Sequence, residues 1–313
     1  SAFSFGIGPA GQLSHIHQFI LTKGISAWSM GDNLTQLDLS TVQFNPNQTW
    51  GRRNRNLAHY ASKLSGDALK SVFPLLENVY LEAADLFGQT PLDLAAKRGC
   101  LELVKWLLPR VHSIKPDEFG NTVLHKAASC RIKNRQQESG EIVKLLLRHG
   151  FNVETLNEHK ETPLHFAARF NNVEAAQELL RQSTSLMEMR NRSSFLPIHV
   201  TAMSGSIDVM KLLMRKGSDP KSLTDDKQNS LHLAARIRSM ECVVELLTHF
   251  NETELNAQDK NGRTSLILSC LKLYDRDPDT EEEKKKCVKV VTELLKSGTD
   301  AGIVDGDGKI ALM

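Results

Sequence analysis

One short motif recurs along most of this chain at a nearly constant interval. Its clearest copy is Thr162–Ala168, which reads T-P-L-H-F-A-A, and related segments begin at Asn56, Thr90, Thr122, Leu196, Asn229 and Thr264. The fourth position of successive copies is occupied by His59, Asp93, His125, His165, His199, His232 and Ile267. The intervals between these positions are 34, 32, 40, 34, 33 and 35 residues. A period of about 33 residues indicates stacked repeats, in which each unit buries its apolar surface against its neighbours.

Each repeat carries the signals of a turn followed by two helices. Glycines such as Gly88 and Gly120 precede the motif, and glycine suits turn positions that need a positive φ. The threonine is expected to cap the first helix, and the proline fits its first position, where no N–H is needed. The Ala-Ala pair keeps this helix thin. We predict apolar second helices at Leu101–Leu108, Glu141–Arg148, Val173–Leu180, Ile207–Met214, Met240–Leu247 and Cys287–Leu295.

The motif and its period resemble those of the ankyrin-repeat family, and the resemblance extends over residues 51–313. It implies an all-α solenoid of stacked helix-turn-helix units with short β-turn or hairpin tips. We expect about seven repeats and an eighth that is cut short at Met313, and therefore a piece of a longer protein. Residues 1–50 lack the motif and are expected to form an N-terminal cap or a divergent repeat, with a helix at Gln12–Lys23.

Two insertions interrupt the regular spacing, one near residues 129–139 and the other near residues 272–286. Both lie between the first and second helix of a repeat, so they are expected to project from the same edge. Each is either a tolerated surface loop, which costs little closure entropy, or an accessory docking or regulatory site. The block Glu281–Lys286 either extends the following helix backward or stays loose.

The charge balance and residue classes argue against several functions. The chain has 39 Lys and Arg against 37 Asp and Glu, whereas nucleic-acid-binding proteins show a basic excess. The sequence contains no run of eighteen apolar residues, so it predicts no membrane span. Five cysteines without a C-x-x-C pair indicate reduced thiols in the cytoplasm, in the nucleus or on the cytosolic side of a membrane protein. We expect a monomer that binds no nucleic acid, does not insert into a membrane and needs no cofactor.

Of the residue types in this chain, the histidines are the best candidates for catalysis or metal binding. Their positions nevertheless favour a structural role. Five occupy the fourth motif position, where the ankyrin resemblance implies hydrogen bonds to the threonine hydroxyl and to neighbouring turns. The structural residues implied in this way are Thr90, His125, Thr162, His165, His199 and His232. Gly6–Gly11 matches G-x-G-x-x-G, but the five preceding residues are too few for the strand of a dinucleotide-binding fold. We therefore expect no metal site, no catalytic residues and no enzymatic activity in this segment.

The remaining class of function is recognition of another protein at the surface. The ankyrin resemblance implies that partners bind on a concave face formed by the turn tips and the first helices. It singles out positions just before the motif threonine and positions after the Ala-Ala pair. The candidate partner-binding residues are Phe87, Arg98, Phe119, His159, Arg169, Phe170, Phe195 and Arg236. Phe87 and Phe119 take the same tip position in successive repeats and are expected to lie side by side. Aromatic and arginine side chains concentrate binding energy at interfaces, although a tip phenylalanine can also pack on its neighbour.

Two classes of function are consistent with this pattern. The first is a non-catalytic scaffold that binds another protein or peptide on the concave face. The alternative is the regulatory ankyrin domain of a larger effector, such as a lipase, a kinase, a poly-ADP-ribosyltransferase or a transient-receptor-potential ion channel. Flanking transmembrane spans would indicate a channel, and flanking catalytic motifs an enzyme. A third hypothesis, a sensor of a small metabolite, depends only on the charged segment Asp275–Lys286.

Overall fold

A computed structural model describes Thr49, residues 53–271 and residues 281–311 of the chain. The described residues divide into two units. The first comprises those up to Ala95 together with Glu102–Ile114, and the second comprises Ala96–Leu101 and those from Lys115 onward. Regular structure in both units is helical, which confirms the all-α prediction.

The first unit is built around leucine side chains. Its elements are α1 Leu57–Ala61, α2 Gly66–Leu76, most of α3 Pro91–Lys97, most of α4 Leu101–Leu107 and a 3₁₀ turn at Leu108–Arg110. Its fully buried side chains include Leu57, Leu69, Leu76, Leu92, Leu103 and Leu107. The rings of Phe73 and Trp106 stack in parallel with their centroids 5.3 Å apart. Arg55 and Asp85 form a salt bridge of 2.7 Å.

The second unit is a row of helical hairpins. The first helices of its hairpins are α5 Val123–Ala128, α7 Pro163–Phe170, α9 Pro197–Ser204, α11 Ser230–Arg236 and α14 Ser265–Cys270. The second helices are α6 Gln136–Arg148, α8 Val173–Gln182, α10 Ile207–Arg215, α12 Met240–Leu247 and α15 Glu281–Lys296, and a short helix α13 lies at Glu252–Leu255. First helices pack on first helices of the next hairpin, and second helices pack on second helices.

The motif residues begin the first helices and allow them to pack closely, as their chemistry predicts. In α7 the Thr162 side chain accepts the backbone N–H of His165, and Pro163 occupies the first turn. Ala167 and Ala168 have no exposed surface, because the neighbouring first helices approach closely over them. Burial of the larger leucines beside them stabilises the fold by roughly 2 kcal/mol each.

Backbone hydrogen bonds tie successive turn tips to one another. The Glu158 N–H donates to the Phe119 carbonyl oxygen at 3.0 Å, and the Arg192 N–H donates to the His159 carbonyl oxygen at 2.8 Å. Each turn contains a residue with a positive φ, which is glycine at Gly120. Four non-glycine residues take that conformation in other described turns before the motif, at a cost of about 1 kcal/mol each, namely Asn54, Lys160, Ser194 and Lys227. The tips of neighbouring repeats are thereby held at a fixed spacing.

The first insertion is shorter than the sequence predicted, because the second helix of that repeat begins early. The prediction placed this helix at Glu141–Arg148, whereas α6 begins at Gln136. The buried hydroxyl of Ser139 donates to the Ala127 carbonyl oxygen at 2.8 Å and fixes the added turn against α5. Gly140 then allows close packing, since a Cβ there would lie only 2.9 Å from a side-chain carbon of α8. The irregular segment is therefore confined to residues 129–132, and a 3₁₀ turn at Lys133–Arg135 leads into α6.

Part of the second insertion is helical. α15 begins at Glu281, so the block Glu281–Lys286 extends this helix backward, which was one of the two alternatives. A 2.8 Å salt bridge between Lys286 and Glu283 supports the added turn. Residues 272–280, the helix predicted at Gln12–Lys23 and the terminal residue Met313 lie outside the described residues.

Candidate functional site

The motif histidines lie in the interior and use both ring nitrogens in hydrogen bonds. The backbone N–H of Thr162 donates to Nδ1 of His165 at 3.1 Å, and Nε2 of His165 lies 3.0 Å from the Phe195 carbonyl oxygen. Because a carbonyl oxygen only accepts, Nε2 carries the proton and the imidazole is neutral. The same link to a carbonyl oxygen joins His59 to Gln89, His125 to Glu161, His199 to Ser222 and His232 to Ala257.

Burial keeps these imidazoles neutral. Desolvation lowers the pKa from 6.5 to about 4 in His59, His125, His165 and His199, and it also lowers the pKa of His232. In the repeat where Asp93 replaces the histidine, the Thr90 N–H and hydroxyl both donate to its Oδ2 atom at 2.8 Å. The motif side chains therefore connect each first helix to the adjoining turns.

The described residues contain no cluster of side chains suited to bind a metal ion. No three His, Cys, Asp or Glu side chains in those ranges are placed to hold a metal ion. No described helix combines the length and the apolar character that a membrane span requires.

A groove of about 440 Å³ opens at the tips of two successive repeats. We call it the tip groove. Three of the predicted partner-binding residues, His159, Arg169 and Phe195, line it together with Arg192 and Met203. One wall comes from the turn before α7 and from α7 itself, and the other comes from the next turn and α9. His159 and Arg192 are exposed, whereas Phe195 and Met203 are half-buried. The tip groove thus combines a partly apolar wall with two cationic or polar side chains at its rim.

Phe195 is fixed in the tip groove by the turn that carries it. The Asn191 side chain accepts the Phe195 backbone N–H at 3.0 Å, and the Phe195 carbonyl oxygen is bonded to His165. Its ring meets the His199 ring at an angle of 64°, with 6.3 Å between centroids. A side chain that is held before binding loses little conformational entropy when a partner arrives.

Arg169 forms part of the tip groove wall and does not extend freely toward solvent. It forms a salt bridge with Glu161, and its guanidinium carbon lies 5.5 Å from the ring centroid of Phe166. Burial alone would raise the pKa of Glu161, but the hydrogen bond and charge of Arg169 hold it below its usual value. Glu161 therefore stays ionised and neutralises Arg169, so the net positive charge of the groove comes from the rim.

A family model described as ankyrin repeats in three copies matches residues 58–137, 135–191 and 198–277. The chain belongs to the ankyrin-repeat family. Ankyrin repeats generally mediate protein–protein interaction. Solved structures with the same fold include the ankyrin repeat domain of Bcl-3, with a TM-score of 0.52 and 22% identity, covering 72% of this chain and 94% of that chain. The human ASB11 ankyrin repeat domain gives a TM-score of 0.56 at 21% identity and covers 72% of this chain and 90% of that chain.

Three curated relatives show the settings in which similar ankyrin repeats occur. Inversin of Canis lupus familiaris is 28% identical over 175 residues, which cover 56% of this chain and 15% of inversin. The human transient receptor potential cation channel subfamily A member 1 is 27% identical over 203 residues, covering 58% and 17%. The tyrosine-protein kinase Shark of Drosophila melanogaster is 31% identical over 186 residues, covering 58% and 19%. The chain thus spans less than a fifth of the length of each of these relatives.

Arg98 and Phe170 lie outside the tip groove, beside the first insertion of the ankyrin repeats. The guanidinium carbon of Arg131 lies 4.4 Å from the ring centroid of Phe170, and Nη1 of Arg135 donates to the Arg98 carbonyl oxygen at 3.4 Å. Arg236 ends α11 and does not line the tip groove either. Arg98, Phe170 and Arg236 therefore lie apart from the three predicted contact residues that line the tip groove.

Phe87 and Phe119 are exposed turn-tip side chains. Phe87 is 41% exposed and Phe119 is 48% exposed. The guanidinium carbon of Arg53 lies 5.2 Å from the ring centroid of Phe87. The two phenylalanines belong to different units, so their side-by-side placement stays a prediction.

Sequence reasoning missed some residues of the tip groove and one further cavity. Four of the groove residues it left out of the site are Asn191, Ser193, Val200 and Ser204. Val200 lies three residues before Met203 on α9, and Ser204 lies four residues after Val200, so helical spacing from Met203 could have found both. The further cavity, of about 450 Å³ in the first unit, is lined by Tyr80, Trp106 and Arg110 among others. The sequence feature that could have indicated this cavity is the presence of Tyr80 and Trp106 in a chain with few aromatic residues.

Proposed function

We propose that this chain is a non-catalytic ankyrin-repeat scaffold that binds an extended segment of another protein in the tip groove. The observation that carries the proposal is a groove built from two repeats in which both the backbone N–H and the carbonyl oxygen of Phe195 are hydrogen-bonded. Membership of the ankyrin-repeat family supports a protein as the ligand.

The composition of the tip groove suggests the chemistry of that segment. Phe195, Val200 and Met203 offer an apolar surface, and methionine adapts to partners of different shapes. Arg192 and His159 lie at the rim, while the charge of Glu161 is offset by Arg169. A partner segment that places an apolar side chain on this surface and a carboxylate beside Arg192 would match both features.

Comparative capture from a cell extract tests this proposal. The immobilised wild-type chain is compared with a variant carrying Phe195→Ala and Met203→Ala, and bound proteins are quantified by mass spectrometry. The matched control carries Val288→Ala and Leu295→Ala, which removes apolar side chains that are 63% and 38% exposed on α15. We expect a set of proteins whose capture falls at least about tenfold with the groove variant alone. Equal capture by the wild type and the groove variant, at equal melting temperature, would contradict the proposal.

A second candidate function follows from the comparison with longer proteins. The chain is similar to one part of a cation channel and to one part of a tyrosine kinase. Each of these two proteins is more than five times as long as its aligned part. We propose, as the alternative, that the repeats form the regulatory interaction arm of a larger effector on the cytosolic side. Sequencing of full-length transcripts tests this, with a membrane or catalytic domain in the same reading frame as the expected result. A transcript that encodes only ankyrin repeats would contradict it.

A further inference from the structure

The first insertion is held against the ankyrin repeats on both of its sides. A Cβ at Gly99, whose φ is +64°, would lie 2.8 Å from the Arg135 carbonyl oxygen, so glycine allows the contact. On the same side, Nη1 of Arg135 donates to the Arg98 carbonyl oxygen at 3.4 Å. On the other side, the guanidinium of Arg131 covers the ring of Phe170. The insertion is therefore not a loop that projects into solvent without contacts, because both its backbone and its side chains contact the neighbouring repeats.

The packing gathers cationic side chains into one surface at the end of the repeats opposite the tips. We call it the insertion surface, and its cations are Arg131, Lys133 and Arg135, the last of which contacts the backbone at Arg98 and Gly99. Within residues 131–138, three cations stand against one carboxylate, that of Glu138. Arg131, Lys133 and Arg135 form no salt bridge with any residue that the structure describes. Their positive charge is therefore not neutralised within the described part of the fold.

This excess is local, because the whole chain carries a formal net charge of only +2. At physiological salt the Debye length is about 8 Å, so a local cluster of charge attracts only groups that come close to it. The cluster also has an apolar centre, since Ile132 is 39% exposed between Arg131 and Lys133. Guanidinium groups pair with carboxylates through two parallel hydrogen bonds, which gives such a surface directional specificity.

We propose that the insertion surface is a second docking site, separate from the tip groove, for a short acidic segment of a partner protein. The segment places carboxylates on Arg131, Lys133 and Arg135 and one aliphatic side chain on Ile132. A protein is favoured over a lipid surface because one exposed isoleucine offers little to insert between acyl chains. Extended nucleic acids are disfavoured because the charge excess does not continue over the rest of the chain.

Fluorescence anisotropy with a synthetic probe tests the insertion surface directly. The probe is a fluorescein-labelled peptide of alternating Asp and Glu around one central Leu, and its Asn and Gln analogue is the uncharged control. The test variant carries Arg131→Glu and Lys133→Glu. The matched control carries Lys285→Glu and Lys289→Glu, two exposed lysines of α15 that form no salt bridge with other described residues. Both variants change the net charge by the same amount, so a difference between them reports position.

We expect the test variant to bind the acidic probe at least about tenfold more weakly than the control variant, with both circular dichroism spectra unchanged. Wild-type binding should also weaken when salt is raised from about 0.1 M to about 1 M, since the Debye length falls from about 10 Å to about 3 Å. The groove variant with Phe195→Ala and Met203→Ala should keep full affinity for the probe. This last result separates failure of the insertion surface from failure of the tip groove.

Three outcomes would overturn the proposal. The first is equal loss of probe binding in the two charge-reversed variants, which would mean that only net charge matters. The second is the absence of wild-type binding to the acidic probe at low salt. The third is strong wild-type binding to vesicles of phosphatidylcholine with about a third phosphatidylserine, without binding to the peptide, which would assign the surface to anionic lipid.

Discussion

The Nε2 atom of His165 lies 3.0 Å from the carbonyl oxygen of Phe195, so an interior histidine of one ankyrin repeat holds the turn that carries the aromatic wall of the tip groove. The backbone N–H of Thr162 donates to the other ring nitrogen at 3.1 Å. The motif that builds the fold therefore also positions the candidate site. A change at His165 is expected to affect both stability and binding, although this residue touches no partner.

Replacement of His165 by Ala should lower the free energy of unfolding by about 2 to 4 kcal/mol. The change removes a fully buried ring and leaves the Thr162 N–H without its partner. It also removes one of the two hydrogen bonds to the Phe195 carbonyl oxygen, which accepts the Asn191 N–H as well. Urea unfolding followed by circular dichroism measures the loss. The exposed residue His149 provides a control, since its replacement by Ala should change stability by less than about 0.5 kcal/mol. A similar, small effect at both positions would contradict the assigned role of His165.

Stability should fall as the pH drops from about 6.5 toward 5. Burial lowers the pKa of four motif histidines from 6.5 to about 4 in the folded state, so over this range they bind protons mainly in the unfolded state. Their contribution is complete above pH 6.5 and is lost as pH falls toward 4, on the order of 2 kcal/mol per imidazole at pH 5. The lowered pKa values of Asp117 and Glu161 act only below about pH 4.5.

Urea unfolding at a series of pH values checks this dependence. The His165→Ala variant should show a shallower slope of unfolding free energy against pH between about 6.5 and 5, because one titrating imidazole has been removed. An identical slope in the variant and the wild type would show that His165 does not titrate as its burial implies.

The Glu161–Arg169 salt bridge should appear as a coupling free energy between the two positions. Replacement of Arg169 by Met leaves the buried Glu161 carboxylate without its guanidinium, and we expect a loss of about 1 to 2 kcal/mol, discounted because the Arg169 side chain is 38% exposed. Adding Glu161→Gln should restore much of that loss. A double-mutant cycle by urea unfolding measures the coupling, and additive effects of the two changes would contradict the pairing.

Gly99 should tolerate a methyl group less well than Gly150 does. Both have a positive φ, +64° and +85°, so alanine costs about 1 kcal/mol of backbone strain at each. A Cβ at Gly99 would also meet the Arg135 carbonyl oxygen at 2.8 Å, whereas nothing lies within 4 Å at Gly150. Gly99→Ala should therefore destabilise by at least about 1 kcal/mol more than Gly150→Ala. Equal melting temperatures for the two variants would show that the insertion does not pack on Gly99.

Replacement of Phe87 and Phe119 by Ser tests the turn tips outside the tip groove. Both side chains are exposed, so the melting temperature should change little. Capture of partner proteins should be abolished, because exposed aromatic residues concentrate binding energy at interfaces. Unchanged capture by the double variant would confine recognition to other surfaces.

The repeat pattern was sufficient to predict the hairpins, since a threonine cap, a proline and paired alanines have local effects that need no tertiary context. It also predicted turns with a positive φ at Gly88 and Gly120, where φ is +69° and +74°. It could not predict that α6 begins at Gln136, because that start depends on the Ser139 hydroxyl reaching the Ala127 carbonyl oxygen.

The candidate site was predictable only in part, for a related reason. Three contact residues meet in the tip groove because two turns approach each other in space, which sequence spacing does not encode. Phe170, another predicted contact residue, is half-buried, and one face of its ring contacts the guanidinium of Arg131 from an insertion without periodicity. Such long-range contacts of irregular segments cannot be predicted from sequence spacing.

Hydrogen exchange of the chain with and without a captured partner tests the tip groove most directly. Binding should slow amide exchange at residues 159–161, 191–195 and 203–204, while the second helices α10 and α12 exchange at unchanged rates. Protection confined to the second helices, with the groove residues exchanging as in the free chain, would contradict the proposed mode of binding.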